Sequence, residues 1–195
     1  MIHWFCFSLA QAQECICEKS ILDHKKPTII VKVAAQIVEF YKAVNTKVES
    51  CKDSLRKTWG SDLIKIIARH SLFKSLFYSS IAYFFYGVQF EDESKWGQAL
   101  AHFQKADKML KQSLEPVKNC PLLSKSNAKT AIAFANDVIE GKYQIAKREN
   151  EFIYHDRVPD EVEELKVRLN FELHSCAQIS FHFIKGTKSG QRNWF

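Results

Sequence analysis

A chain of 195 residues with 46% hydrophobic side chains and 15 phenylalanines has enough apolar material to bury the core of a domain, which excludes a disordered polypeptide. Only 6 glycines and 4 prolines interrupt it, too few for the many turns of a sheet protein, so the composition points to long helices. The net charge is +6, with both signs mixed along the chain, which argues against nucleic-acid binding and gives only a weak preference for acidic partners.

The opening "MIHWFCFSLAQAQ" has an Ala-x-Ala end like a cleavage site, but its apolar part is short and no Lys or Arg precedes it. It is therefore not read as a secretory signal. A first helix is expected over about 9–22. It contains Cys15 and Cys17, whose thiols a helix turns about 200° apart. The remaining cysteines, Cys6, Cys51, Cys120 and Cys176, are scattered without a CxxC pair, the usage of reduced thiols in a cytosolic chain.

Pro27 opens a second helix, expected to reach about Lys47, since proline is tolerated in a first turn. Stepping about 100° per residue from Ile29 places Ile30, Ala34, Ile37 and Tyr41 on one core stripe. Ile29, Val33 and Phe40 fall beside that stripe, and Lys32, Gln36 and Glu39 fall on the far side of them. Ile29 and Val33 thus sit at the border between core and solvent. Either this helix has a wide core face, or the surplus receives a partner's amphipathic helix in a groove rimmed by residues such as Lys32.

A third helix is expected from about Ser54 to Gly87, capped by Asp53 or Ser54 and kinked near Gly60. Its apolar stretch "LFYSSIAYFFYGV" is shorter than the roughly 20 residues that cross a bilayer, and reads as buried core with no transmembrane segment. A fourth helix over about 95–114 ends where Pro116 and Pro121 bracket a loop. A fifth, over about 124–149, carries Ile132, Ala135, Ile139, Tyr143 and Ala146 on one face. Beyond Asn150 the pattern breaks, and "FIYHDRV" before Pro159 reads as extended chain packed on the helices. The expected fold is all-α: antiparallel helical hairpins in a tetratricopeptide-like solenoid.

Catalytic and metal motifs are not met. A tyrosine-phosphatase loop needs Arg six positions after its Cys, but Cys51 is followed by Arg56. "HDR" at His155–Arg157 lacks the glycine-rich loop of a kinase, and "GTKSG" at Gly186 lacks P-loop spacing. His174, Cys176 and His182 fit no standard zinc spacing. His70 and His102 read as ordinary helix residues. No cofactor, metal or enzyme activity is expected.

The segments "LAQAQECICEKSILD", "AAQIVEFYK", "KWGQALAHFQKA", "DVIEGKYQIAKREN" and "FIYHDRVP" together resemble, in order, the C-terminal half of a Bro1 domain. "QAQECICEKSILD" with "DVIEGKYQIAKREN" is nearest to the His-domain tyrosine phosphatase member of that family, and "FIYHDRVP" to Alix. The resemblance covers about 8–165 as a partial domain. It leaves 1–7 as a non-family start and 166–195 as a divergent tail, both read as the ends of a truncated or mis-spliced gene product. It implies a boomerang-shaped helical domain that binds the C-terminal helix of ESCRT-III subunits of the charged multivesicular body protein 4 type. It also implies a cytoplasmic, endosome-associated role in multivesicular-body sorting, with any membrane contact peripheral and made through partners. The family's two apolar contact residues, four apart, fall on Ile29 and Val33, with Lys32 and Phe40 in support. Tyr154 matches the family's candidate phosphorylation site; packing against the helices is its simpler role. Two other parents stay open: a tyrosine phosphatase whose catalytic part lies elsewhere, or a Rho-effector scaffold of rhophilin type.

Overall fold

The computed structural model describes residues 2–51, 53, 55, 57, 60–118, 120 and 128–165, with side chains from residue 6 onward. Five helices are described: α1 (Ile2–Leu22), α2 (Pro27–Ser50), α3 (Ser61–Asp92), α4 (Trp96–Lys118) and α5 (Ala128–Glu149). A π-helical turn, Asn150–Tyr154, follows. Each helix packs on the next in chain order. No strand occurs among the described residues.

Two of the hairpins close with the same backbone device. His24 follows α1 in the left-handed conformation (φ 50°), with Lys25 N–H donating to the Ser20 carbonyl at 3.0 Å. Ser94 follows α3 at φ 58°, with Lys95 N–H donating to the Phe90 carbonyl at 2.8 Å. This six-to-one bond satisfies a carbonyl that the helix end leaves open and reverses the chain within a few residues. Neither position is glycine, so sequence alone did not mark these stops.

α1 begins earlier than expected, at Ile2 rather than near Leu9. Cys6, Ala10, Cys17 and Ser20 form one buried stripe at helical spacing, small enough to bring α1 close to α2. Cys15 is exposed and Cys17 is buried, as their angular separation requires; burial pushes the Cys17 thiol up to about 12. Among the described residues, Cys15, Cys17, Cys51 and Cys120 carry free thiols.

α3 is the central helix, packed on α2 and on α4. A helix buried on two sides has no single polar face. Its small residues Ser71, Ser75, Ser79 and Ser80 are buried at these contacts. The hydroxyls of Ser75, Ser79 and Ser80 donate to the Leu72, Ser75 and Phe77 carbonyls at 2.9, 2.7 and 2.7 Å, whereas the buried Ser71 hydroxyl has no hydrogen-bond partner among the described residues. The expected kink near Gly60 is a full break. Gly60 has φ 78°, which an L side chain resists, and α3 starts after it.

Two expectations are corrected. Pro116 does not end α4: the helix runs to Lys118, and Pro116 is buried within it. Proline removes one backbone bond in that turn, and burial of Ser113, Pro116 and Val117 offsets it. The chain after α5 is not extended at once. Residues 150–154 form the π turn, with Phe152 and Ile153 exposed. Asn150 holds this turn: its Nδ2 donates to the Asp156 carbonyl at 3.1 Å and its Oδ1 accepts from Asp156 N–H at 3.0 Å. Irregular backbone that packs on the helices comes later, through Val158, Val162 and Leu165. The expected face of α5 is the one turned inward, with Ile132, Ile139 and Ala146 buried. The tail from residue 166, including His174, Cys176 and His182, lies outside the described residues.

Candidate functional site

Pro27 sits at the first turn of α2, where its missing N–H costs nothing, and Ile29 N–H donates to the Lys26 carbonyl at 2.9 Å. This start fixes the rotation of the whole helix. Ile30, Ala34, Ile37 and Tyr41 are buried, as the periodicity requires. Val31, Ala35 and Val38 are buried as well, because α2 contacts both α1 and α3. Most of the apolar surplus in α2 is therefore core.

What remains at the surface is small and defined. Ile29 keeps 45% of its surface exposed, and Val33, one turn on, is half-buried against the core. Lys32 is exposed between them in sequence, and Lys25 and Lys26 are exposed in the preceding turn. Phe40 is in a different position: it is 8% exposed and belongs to the core cluster with Tyr41 and Tyr78. Phe40 therefore faces the core and not the exposed edge of α2.

The wall behind the face is held by polar clamps. Gln13 Nε2 donates to Gln36 Oε1 at 3.1 Å, tying α1 to α2. Glu14 accepts from the Tyr41 hydroxyl at 2.5 Å and pairs with Lys74 at 2.7 Å, joining α1, α2 and α3. Burial of the phenol, together with its hydrogen bond to the Glu14 carboxylate, pushes the Tyr41 pKa upward, so Tyr41 stays a neutral donor.

Two features were missed from sequence. Leu22, at the end of α1, is 77% exposed at the same turn from which α2 starts. Phe134, Val138 and Ile145 form an exposed apolar stripe on the outer side of α5, legible as a second helical spacing beside the one that was read. Tyr154 lies apart from the α2 face, with its ring stacked on Trp96 at 3.9 Å. Among the described residues no group of His, Cys, Asp or Glu could hold a metal.

The profile of the BRO1-like domain matches residues 6–186. The chain belongs to this family.

This BRO1-like chain is 35% identical over 156 residues to tyrosine-protein phosphatase non-receptor type 23 of Rattus norvegicus, covering 77% of the chain but 10% of that protein. The match lies in the BRO1 region of that protein and not in a phosphatase domain. It is 31% identical to the pH-response regulator protein palA/RIM20 of Saccharomyces cerevisiae, covering 88% of the chain and 22% of the relative. Among solved structures, a complex of the ALIX BRO1 domain with CHMP4C aligns with TM-score 0.65 at 24% identity, over 85% of this chain and 42% of that one. A Bro1 domain solved for its role in endosomal targeting aligns with TM-score 0.68 at 22% identity, over 90% of this chain and 48% of that one. The helical-hairpin fold is therefore that of Bro1 domains, and the chain spans less than half of those solved chains. No described helix is long and apolar enough to cross a membrane.

Proposed function

We propose that this BRO1-like chain is a non-catalytic adaptor, and that the first turns of α2 receive the apolar side of an amphipathic helix. The partner is an ESCRT-III subunit of the charged multivesicular body protein 4 type. The observation that carries this reading is the pair Ile29 and Val33, apolar and one turn apart at the surface, on a helix whose other apolar side chains are consumed by the core. The solved ALIX complex with CHMP4C supports the class of partner.

Helix-in-groove recognition needs apolar anchors at i and i+4 and a polar rim that sets register. Ile29 and Val33 supply the anchors. Lys25, Lys26 and Lys32 supply a cationic rim that suits acidic residues along the partner helix. The protein would work on the cytoplasmic side of endosomes, in sorting to multivesicular bodies, held there through its partners.

Amide hydrogen exchange in the presence of the partner-helix peptide tests this reading. Exchange should slow over residues 27–36 at saturating peptide. Slowing elsewhere, with these turns unchanged, would overturn the assignment.

A second reading concerns the parent protein. The 35% identity to the type 23 phosphatase favours a parent that also carries a phosphatase domain. Transcript sequence downstream decides it, by containing or lacking a Cys-x5-Arg loop.

A further inference from the structure

A cavity of about 250 Å³ opens where the end of α3, the start of α4 and the segment 159–164 meet. It is remote in sequence from the α2 face and shares no residue with it. Its inner wall is aromatic. Tyr86 and Phe90 lie stacked with centroids 6.3 Å apart and planes 20° apart, and the His102 ring is 5.6 Å from Tyr86 and 4.7 Å from Phe90. Pro159 and Val162 add apolar surface, while Glu161, Glu163 and Glu164 stand at the exposed rim.

Among the described residues no Lys or Arg lines this cavity, although the chain as a whole carries a charge of +6. His102 Nδ1 is held 2.7 Å from the Gln98 carbonyl, and burial lowers its pKa, so at neutral pH it contributes a ring and no positive charge. The surrounding rings already attract the protein's own cations: Lys95 Nζ lies 5.6 Å from the Phe90 centroid, and Lys105 Nζ lies 5.9 Å from that of Tyr83.

Aromatic faces with carboxylates at their edge are the arrangement that holds an organic cation. The ring quadrupoles attract the charge, and the carboxylates accept its hydrogen bonds. A planar guanidinium stacks on rings and pairs with carboxylates in a fork, which a compact ammonium cannot do. We propose that this cavity is a binding site for an arginine side chain presented by a basic segment of a partner protein. The two surfaces together would let one adaptor engage an amphipathic helix at α2 and a basic peptide at the α3–α4 turn.

The test is a titration of the full chain with a blocked Gly-Arg-Gly peptide, followed by amide chemical shifts. Gly-citrulline-Gly serves as the neutral isostere, and Gly-Lys-Gly as the ammonium control. The arginine peptide should give saturable shifts centred on Phe90, His102 and Val162, with the lysine peptide weaker and the citrulline peptide silent. Glu161→Gln with Glu164→Gln should weaken arginine binding by about tenfold, since both are exposed and their loss leaves the fold intact. Phe90→Leu, which keeps apolar bulk and removes the ring, should weaken it by about threefold. Equal binding of citrulline, unchanged affinity in the double variant, or shifts scattered over the surface would each overturn the proposal.

Discussion

The phenol ring of Tyr154 lies flat on the indole of Trp96, with centroids 3.9 Å apart and planes 4° apart. Trp96 is the first residue of α4 and Tyr154 the last of the π turn, so one stack fastens the chain after α5 to the start of the previous helix. Beside it, Gly97 N–H donates to Asp156 Oδ2 at 3.3 Å, and a Cβ on Gly97 would collide with the Arg157 carbonyl. Trp96→Ala should release this fastening. Amide exchange over residues 150–158 is expected to quicken by about fivefold, consistent with about 1 kcal/mol for a stacked pair, while α1–α3 stay unchanged.

Tyr154 is 37% exposed, within reach of a kinase only at its outer edge. Its phosphorylation would add about −1.5 to −2 charges next to Asp156 and Asp160, with Arg157 the nearby cation in sequence. The expected outcome is partial release of the 150–158 segment, measured by the same exchange experiment on the phosphorylated protein. Unchanged exchange would show that Arg157 re-pairs the segment in place.

Gly87 on α3 faces Phe103 on α4, which is fully buried; a Cβ at Gly87 would sit inside the contact envelope of that ring. The closeness of the α3–α4 pair rests on this missing side chain. Gly87→Ala should destabilise the protein by about 1–3 kcal/mol through overpacking, despite alanine's better helix propensity. Urea denaturation checks it, as a lower midpoint with the slope unchanged.

Glu14 is the shared partner of the Tyr41 hydroxyl and Lys74. Glu14→Ala leaves a buried phenol without its acceptor and should cost about 1–3 kcal/mol. Tyr41→Phe combined with Glu14→Ala should cost less than the sum of the two single changes, because the stranded hydroxyl is gone. Thermal unfolding of the three variants measures this coupling.

His70 and His102 both have pKa values held below the ordinary 6.5, mainly by burial. The unfolded chain therefore binds more protons than the folded one between 6.5 and the depressed folded values. Their contribution to stability is full above 6.5 and declines as the pH falls through that window. The urea midpoint should drop between pH 7.5 and pH 5.5, and His70→Gln with His102→Gln should flatten that drop.

The rotation of α2 was legible in its sequence because a period of 3.6 needs only a start, and Pro27 marks it. What the period could not reveal is how many neighbours a helix has. Val31, Ala35 and Val38 became core only because α1 and α3 flank α2, and Phe40 went inward for the same reason. The hairpin stops at His24 and Ser94 carry no glycine signal; their left-handed turns are closed by the local bonds from Lys25 N–H to Ser20 and from Lys95 N–H to Phe90. Pro116 was read as a breaker by local rule, yet burial kept it helical. The π turn depends on Asn150 bonding Asp156, and the Trp96–Tyr154 stack joins positions far apart in the chain. Contacts of that kind have no periodic signature.

The central claim is that Ile29 anchors a partner helix. The most direct measurement is fluorescence anisotropy with a labelled peptide of the ESCRT-III C-terminal helix, comparing the wild-type chain with Ile29→Asp. Circular dichroism must show equal helicity in both. The account predicts at least about a thirtyfold loss of affinity, since a carboxylate placed in an apolar contact costs about 2 kcal/mol or more. Retained affinity within about twofold in a folded variant would contradict it, and would leave the exposed edge of α2 as no more than the border of the core.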